Sequence, residues 1–389
     1  MWLGAGGLPQ AAAVASLFAL DSFTRALLVT VVPLKALALL GGAQPVSVLY
    51  FAVGCVGLCG SFAVPWLVHH IRRRFVLSVG ALSMAAALAV MATNSVLGIV
   101  AGLCLQALAS ACIEIALNLY VMDQIPRREM NRFEPLRIFF AAGVWMVGPA
   151  LGVYVERRLG GWVPFAMAGA AALLLLGYFW FLRLTDPATM PPATSAAPNP
   201  LRYFPRFVSQ PRLRLAWVLA VGRNGWWTMF MIYAPIYAVS IGFDEVAAGL
   251  IVSLGVSSIL LVTVWGWLGR RYGLRRLLIV GYLVAGIATL AAALLADAPW
   301  LGVAMLIGAA IGGSMIDGAG NVLFLRAVHP HERPQMTTVY ITYRYVSQMA
   351  PPGVFAILLK LFSLSAVFVA SGASVVAMAA LARYIPKRM

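Results

Sequence analysis

Several charged side chains stand inside long apolar runs, where they are the residues best placed to do chemistry. They are Asp21, Arg25, Glu114, Arg223, Asp317 and Arg344. A charged group in hydrocarbon costs at least about 2.5–3.5 kcal/mol on insertion scales, so it normally faces a water-filled cavity or a partner of opposite charge. We therefore predict that these residues bind a solute or an ion. The alternative is a set of salt bridges that only hold helices together, and Asp21 and Arg25, four residues apart, can pair on their own helix.

Two of the acids are each followed by an asparagine one helical turn later, Glu114 by Asn118 and Asp317 by Asn321. A carboxyl group taken out of water can bind and release protons near neutral pH. Glu114 and Asp317 are therefore the proton carriers that we predict. Asp21 is a weaker candidate because Arg25 lies four residues after it. Arg344 could neutralise Asp317, which would make that residue part of a structural pair.

A third pattern combines one arginine with aromatic residues along a single predicted helix. Its members are Arg223, Trp226, Phe230, Tyr233 and Tyr237, at spacings that place them on one face. A guanidinium binds a carboxylate or phosphate through paired hydrogen bonds, and aromatic faces bind an apolar or cationic group. The face therefore predicts a site for an organic anion or zwitterion, with interhelical packing as the alternative. The predicted substrate-binding set also includes Asp21, Arg25, Asn118, Asn321, Tyr340 and Arg344.

The elements that position these residues must be membrane helices. The 389-residue sequence is 62% hydrophobic and 10% charged, whereas soluble domains are about 45–50% apolar and about 25% charged. At roughly 20 apolar residues per crossing, the apolar runs predict twelve transmembrane helices and leave no room for a large soluble domain. The predicted fold class is an all-α integral membrane protein, with the lipid bilayer as its surroundings.

Basic residues indicate how the predicted helices are oriented. The net charge of +16 could suggest nucleic acid, but short cytoplasmic loops retain Lys and Arg, and most of the 28 basic residues fall on one side when both termini are inside. We therefore predict cytoplasmic termini and no nucleic-acid partner. Arginine greatly outnumbers lysine, which is typical of a GC-rich bacterial genome and indicates a bacterial inner membrane.

The two halves of the sequence are internally similar. Sliding them by about 200 residues superposes Pro33 on Pro235, Asp21 on Arg223 and Glu114 on Asp317. Parallel repeats of this kind are typical of membrane transporters. The proline-rich stretch Asp186–Pro200 is predicted to be an extended linker between the halves. We predict a six-helix half over residues 1–184, a cytoplasmic linker over 185–212 and a second six-helix half over 213–389.

Twelve spans, inside termini, a central linker and a six-plus-six repeat resemble the major facilitator superfamily over essentially the whole chain. The loop signature of that family, Gly-x-Leu-x-Asp-Arg-x-Gly-Arg-Arg, is partly kept from Gly266 to Arg275, with Arg270 in place of the acid. The first-half copy keeps less of it. The resemblance implies a cytoplasmic gate formed by Asp123, Gly266, Arg271, Gly273 and Arg275.

A second short element is similar to one associated with antiporters in this superfamily. It is Gly148-Pro-Ala-Leu-Gly152, and the alternative is that its glycines simply let two helices approach. The first and seventh helices of the family line a central cavity. The resemblance therefore implies that Asp21 and Arg25 face the Arg223 stripe.

The predicted function is secondary active transport of a small anionic, zwitterionic or amphipathic organic solute, by alternating access and coupled to protons. Export is one direction that this allows. A non-transporting membrane scaffold or sensor is the alternative. No H-E-x-x-H, G-x-S-x-G or Walker-type sequence occurs, so we expect neither enzyme activity nor nucleotide-driven coupling. The cysteines lie in apolar runs, no metal or other cofactor is expected, and we expect a monomer.

Overall fold

The computed structural model describes residues 8–71, 73–124, 130–182, 200–295, 298–329 and 332–386. Within these residues the chain forms α-helices, one short 3-10 helix at Ser258–Leu261 and no strand. A backbone surrounded by hydrocarbon must satisfy its hydrogen bonds within its own segment, which favours helices in a chain of this composition. The predicted all-α fold class is confirmed.

The helices follow one another with short connections. In the first half of the chain they are α1 (Leu8–Ala26), α2 (Val31–Leu40), α3 (Ala43–His70), α4 (Arg73–Met91), α5 (Val96–Gln124), α6 (Met130–Leu159) and α7 (Val163–Phe181). In the second half they are α8 (Pro200–Ser209), α9 (Pro211–Ser240), α10 (Glu245–Ser257), α11 (Val262–Tyr272), α12 (Leu274–Leu294), α13 (Pro299–Asp317), α14 (Val322–Ala327), α15 (Arg333–Tyr340), α16 (Tyr343–Leu361) and α17 (Ser365–Ala382).

Ten segments of the described residues are long and apolar enough to cross a membrane, which makes the chain a multi-pass membrane protein. They match all of the predicted spans except the seventh and the eleventh. Those two are also helical, as α9 and as α15 followed by α16, but they are more polar. Arg223 and Asn224 lie in the middle of α9, and Arg344 and Ser347 lie in the first turns of α16. The count of twelve spans stays a prediction.

Contacts between helices divide the described residues into two compact units. The first contains those of Met1–Leu40 and Cys55–Thr194, and the second contains those of Gly41–Gly54 and Ser195–Met389. The predicted domain boundaries at residues 184 and 212 stay predictions. The predicted linker Asp186–Pro200 lies outside the described residues, except for Pro200, which begins α8.

In the first unit, α1 packs against α6 and α7, and α4 packs against α5 and α7. Two glycines of α6 bring it very close to α1. A Cβ on Gly148 would lie 2.7 Å from the Cβ of Ala26, and one on Gly152 would lie 1.8 Å from the carbonyl oxygen of Leu27. Both distances are well inside van der Waals contact, so only glycine fits. The packing interpretation of this element is confirmed, and its link to antiport stays a prediction.

In the second unit, α12 lies between α13 and α17, and α9 packs on α10, α16 and α17. Close approach again depends on glycine. A Cβ on Gly312 of α13 would lie 2.4 Å from the backbone nitrogen of Ala285, and one on Gly286 of α12 would lie 2.9 Å from the carbonyl oxygen of Gly372. Small residues at such contacts let membrane helices pack through their backbones.

The first turns of α3 pack within the second unit. The hydroxyl oxygens of Ser47 and Tyr233 lie 2.6 Å apart and share a hydrogen bond. A Cβ on Gly353 of α16 would lie 2.7 Å from the ring of Phe51. Since α3 continues without a break to His70, one helix contributes to both units.

The tenth predicted span is broken in its last third. The sequence predicts one helix over Trp300–Leu325, but α13 ends at Asp317 and α14 begins at Val322. Gly320, between them, has a φ of +51°, in the left-handed region that glycine adopts readily. The helix is interrupted there, so backbone groups become available to side chains. The first predicted span is likewise divided, into α1 and α2.

Candidate functional site

Arg223 lies in the middle of α9 and is 8% exposed. Its guanidinium donates hydrogen bonds to the carbonyl oxygen of Gly320 at 3.1 Å and to the hydroxyl of Tyr343 at 3.2 Å. Its Nε lies 3.5 Å from Oδ1 of Asp317, as an ion pair without a hydrogen bond. A buried guanidinium needs several acceptors because each unpaired donor in a low-dielectric site is costly. The break after α13 supplies one of them.

Asp317, the last residue of α13, is the acidic partner in this cluster. Its Oδ2 accepts a hydrogen bond from Nε1 of Trp227 at 2.8 Å, and its side chain is 26% exposed. The sequence offers Arg344 as the group that could neutralise Asp317, but the structure pairs Asp317 with Arg223. Arg344 lies on α16 with an exposed side chain.

Two other predicted residues lie beside this cluster. The hydroxyl of Tyr340 donates to Oδ1 of Asn321 at 3.3 Å, and the Tyr340 ring stacks on Phe324 with centroids 4.0 Å apart. The ring of Tyr343, which faces the guanidinium at 5.7 Å, lies 5.0 Å from Tyr340. The guanidinium of Arg223 is therefore bordered by aromatic rings as well as by oxygen atoms.

A small cavity reaches this cluster. It is lined by Arg223, Gly320, Tyr340 and Tyr282, among others, and has a volume of about 20 Å³. That is room for one water molecule and far too little for an organic solute. Among the described residues, no group of three or more His, Cys, Asp or Glu side chains could hold a metal ion.

The predicted stripe on α9 is buried along its whole length. Arg223, Trp226, Phe230, Tyr233 and Tyr237 are each at most 8% exposed. Trp226 donates from Nε1 to the hydroxyl of Thr289 at 2.9 Å and stacks on Phe230 at 5.3 Å. Tyr233 bonds to α3, and Tyr237 packs edge-on against a phenylalanine of α17. These contacts favour the packing alternative for the aromatic members, and substrate binding by them stays a prediction.

Sequence reasoning missed Trp227, which lies on the neighbouring, half-buried face of α9 with Asn224 and Met231. Its ring meets Trp226 edge-on at 5.0 Å, and its indole nitrogen is the one that reaches Asp317. The available signal was its position, one turn after Arg223 on the same helix. Trp227 is the partly exposed aromatic ring that contacts the charged pair.

The first unit contains its own buried charges. Asp21 is 3% exposed and its Oδ2 bonds to the guanidinium of Arg25, so the pairing predicted from their spacing is confirmed. Its Oδ1 is buried without a hydrogen-bond partner among the described residues. Glu114 lies on α5, which contacts α1, the helix of Asp21. Arg137 of α6 lies over the ring of Phe18, one turn before Asp21, at 4.9 Å.

The charged pairs of the two units occupy repeat-related positions. Asp21 aligns with Arg223 and Glu114 with Asp317. The helices that carry them contact each other in each unit, α1 with α5 and α9 with α13, and in the second unit Arg223 forms an ion pair with Asp317. This shared geometry supports the internal repeat. The charges at these positions differ, since the first unit has an acid at both and the second has an arginine and an acid. Asn118, half-buried in the unbroken α5, also differs from its counterpart, which lies in the turn after α13.

Part of the predicted gate lies at the end of α11. The guanidinium of Arg271 lies over the rings of Trp267 and Tyr272, at 5.3 Å and 5.6 Å. Gly273 ends the helix with a φ of +95°, which a residue with a Cβ adopts only with strain. The signature glycine is therefore required by the turn itself.

The remaining gate residues are less constrained. A Cβ on Gly266 would make ordinary contact with the carbonyl oxygen of Gly318, at 3.9 Å. Arg275 is half-buried in the first turn of α12. The side chain of Asp123 lies outside the described part of the chain. The gate stays a prediction.

Comparison with known proteins identifies the fold. The model of the Major Facilitator Superfamily matches residues 14–352, with a further match over 225–388. No curated protein sequence matches the chain significantly. Among solved structures, a POT family transporter in complex with 5-aminolevulinic acid has a TM-score of 0.77 at 12% identity, over 94% of each chain.

Two further structures are similar over nearly their full length. The nucleoside transporter NupG has a TM-score of 0.74 at 13% identity, over 96% of this chain and 98% of that one. A D-xylose-proton symporter has a TM-score of 0.74 at 14% identity, over 97% of each chain. Likeness at such low identity shows the fold alone. Together with the family match over most of the sequence, it confirms the predicted resemblance: the chain belongs to the Major Facilitator Superfamily.

Proposed function

We propose that the protein is a secondary active transporter that moves a small anionic or zwitterionic solute by alternating access, coupled to protons. The observation that carries the proposal is the Arg223–Asp317 pair, set in the apolar helices of a membrane protein with the acid 26% exposed. Charged groups at such depth are costly, and those that persist commonly bind substrates or ions. The protein works as a monomer in the bacterial inner membrane and permits export as well as import.

Arg223 is the proposed binding group for the acidic end of the solute. Its contact with Asp317, at 3.5 Å and without a hydrogen bond, is the longest of its polar contacts. A solute carboxylate can make two parallel hydrogen bonds to a guanidinium and so replace Asp317. Trp227, which already contacts that acid, would then offer its ring to the rest of the solute.

The proton site is proposed for the first unit. What supports this is Oδ1 of Asp21, which is buried and has no hydrogen-bond partner among the described residues, and the position of Glu114 on α5, a helix that contacts α1. An ionised, buried oxygen without a partner is unfavourable, and a proton removes that charge. Asp317 has both oxygens engaged, so it would exchange a proton only when the solute displaces it from Arg223.

The similar structures guide the choice of solutes. One is a POT family transporter that holds 5-aminolevulinic acid, another is a nucleoside transporter, and a third is a D-xylose-proton symporter. A panel of amino acids, short peptides, nucleosides and monosaccharides therefore covers both charged and neutral chemistry. We expect the charged and zwitterionic members to be transported.

The test uses purified protein in proteoliposomes with a pH-sensitive dye inside. Addition of a transported solute should move protons, and a proton gradient should drive accumulation. Glu114→Gln, Asp21→Asn and Asp317→Asn keep side-chain shape but cannot release a proton. At least one should abolish accumulation while solute-for-solute exchange survives. Glu245→Gln, in the first turn of α10, is the matched control. Full accumulation in all three amide variants would contradict proton coupling.

Cytoplasmic termini are part of the proposal and have a separate test. The four native cysteines are replaced first. Arg275→Cys, in the first turn of α12, should then be protected from an impermeant thiol reagent added outside intact cells. Ser240→Cys, at the end of α9, should react. The opposite labelling pattern would reverse the orientation.

A membrane scaffold or sensor of the same fold remains the second candidate. It is favoured by the two hydrogen bonds that Arg223 already donates, to the carbonyl oxygen of Gly320 and to the hydroxyl of Tyr343. Arg223→Ala separates the two functions. Loss of solute binding in a protein that still inserts and purifies supports the transporter, and unchanged binding assigns Arg223 to structure.

A further inference from the structure

The short helix α8 is amphipathic and lies apart from the proposed transport site. Phe204 and Val208, one turn apart, are 56% and 38% exposed. Ser209 is exposed on a more polar face, and Phe207, at 3% exposure, packs into the protein. Two large apolar side chains therefore point outward from a helix of 10 residues, which is too short to cross a bilayer.

An ion pair holds α8 against Glu332, the residue that precedes α15. The guanidinium of Arg206 bonds to Oε1 of Glu332, which is 4% exposed, and Nε2 of Gln210 donates to Oε2 of the same carboxylate at 3.3 Å. The helix also packs on α15. Because these contacts fix its rotation, the edge that carries Phe204 and Val208 keeps its outward direction.

The chain places α8 beside the membrane surface. Gln210 is extended, with φ −93° and ψ 106°, and Pro211 begins α9 immediately afterwards. The apolar run of α9 starts at Leu215, so the end of α8 lies within about two helical turns of the hydrocarbon edge. Arg212 and Arg214, both exposed, stand at this edge.

We propose that α8 lies in the membrane–water interface and binds anionic phospholipid, with Phe204 and Val208 among the headgroups and Arg212 and Arg214 on the phosphates. Interfacial helices combine an apolar edge with basic residues in this way. The positive charge of Arg212 and Arg214 favours an anionic lipid. The acid that contacts α8, Glu332, is buried and already bonded to Arg206, so it does not offset that charge. Each basic residue near an anionic surface strengthens binding by about fivefold.

Fluorescence from single cysteines in the full-length, otherwise cysteine-free protein tests the proposal. An environment-sensitive dye is attached at Phe204→Cys, Val208→Cys or Ser209→Cys, in nanodiscs of phosphatidylcholine with or without phosphatidylglycerol. The dye at the first two positions should shift to the blue and be quenched by spin-labelled lipid. Quenching should be stronger by spin-labelled phosphatidylglycerol than by spin-labelled phosphatidylcholine. The dye at Ser209→Cys should stay in water.

A paired charge variant tests the choice of lipid. The excess is the amount by which quenching by spin-labelled phosphatidylglycerol exceeds quenching by spin-labelled phosphatidylcholine. Arg212→Gln with Arg214→Gln should at least halve it, because each basic residue strengthens binding to an anionic surface by about fivefold. Arg157→Gln with Arg158→Gln removes two exposed arginines at the end of α6 and should leave that excess unchanged. A dye at Phe204→Cys that remains in water, or equal quenching by the two lipids in the unsubstituted background, overturns the proposal.

Discussion

The ion pair between Arg223 and Asp317 can be measured by a double-mutant cycle. Arg223→Met removes hydrogen bonds of 3.1 Å and 3.2 Å and the ionic contact of 3.5 Å, and it leaves Asp317 with Trp227 as its partner. Breaking one side of a buried pair costs about 3–5 kcal/mol of unfolding free energy. Because Asp317 is 26% exposed, we expect the lower end of that range.

Asp317→Asn should cost less, about 1–3 kcal/mol, because the amide keeps its shape and Arg223 keeps two acceptors. The double variant should be more stable than the sum of the single effects predicts, by about 1–2 kcal/mol. The assay is reversible unfolding in mixed detergent micelles. Arg212→Met, an exposed arginine on the same helix, should change stability by less than about 0.5 kcal/mol. Additive single effects would refute an energetic interaction between the two side chains.

Other packing contacts give simpler tests of stability in the same assay. Gly152→Ala should cost about 1–3 kcal/mol or more because its Cβ would lie 1.8 Å from the backbone oxygen of Leu27, the residue after α1. Gly169→Ala, whose Cβ would have no atom of the described residues within 4 Å, should be neutral or stabilising by up to about 1 kcal/mol. Equal effects of the two substitutions would contradict the packing. Tyr233→Phe loses a 2.6 Å hydrogen bond to α3 and should cost about 0.5–1.5 kcal/mol. An unchanged unfolding midpoint would show that this bond adds nothing to stability. Lys35→Met removes a 3.1 Å ion pair with a glutamate of α6 and a 2.8 Å bond to a backbone carbonyl, so it should cost about 1.5–3 kcal/mol. Lys360→Met, at an exposed lysine, should change stability little. A similar loss of stability in the two variants would argue against a contribution from the contacts of Lys35.

Composition and periodicity could predict the helices and the membrane because both follow from the cost of unpaired backbone groups in hydrocarbon. Local spacing also predicted the pair of Asp21 and Arg25, since residues four apart meet on one helix. Neither argument reveals which helices pack together. The sequence therefore offered Arg344 as the residue that could neutralise Asp317, whereas in the structure Arg223 pairs with it.

Two features depended on tertiary structure. The break after α13 required Gly320 in a left-handed conformation, and a single glycine in an apolar run is also common in unbroken membrane helices. The burial of the α9 stripe depended on helices far away in sequence. A period of 3.6 residues identifies a face but not what it faces, so it could not separate the packed Trp226 from the partly exposed Trp227.

The continuity of α3 limits how the protein can be divided. A split in the connection before α8 would leave the first turns of α3 on one polypeptide and their packing surface, including Tyr233 and Gly353, on the other. In each fragment made alone, one side of this packing contact would be exposed. Functional complementation should therefore require both fragments to be synthesised together.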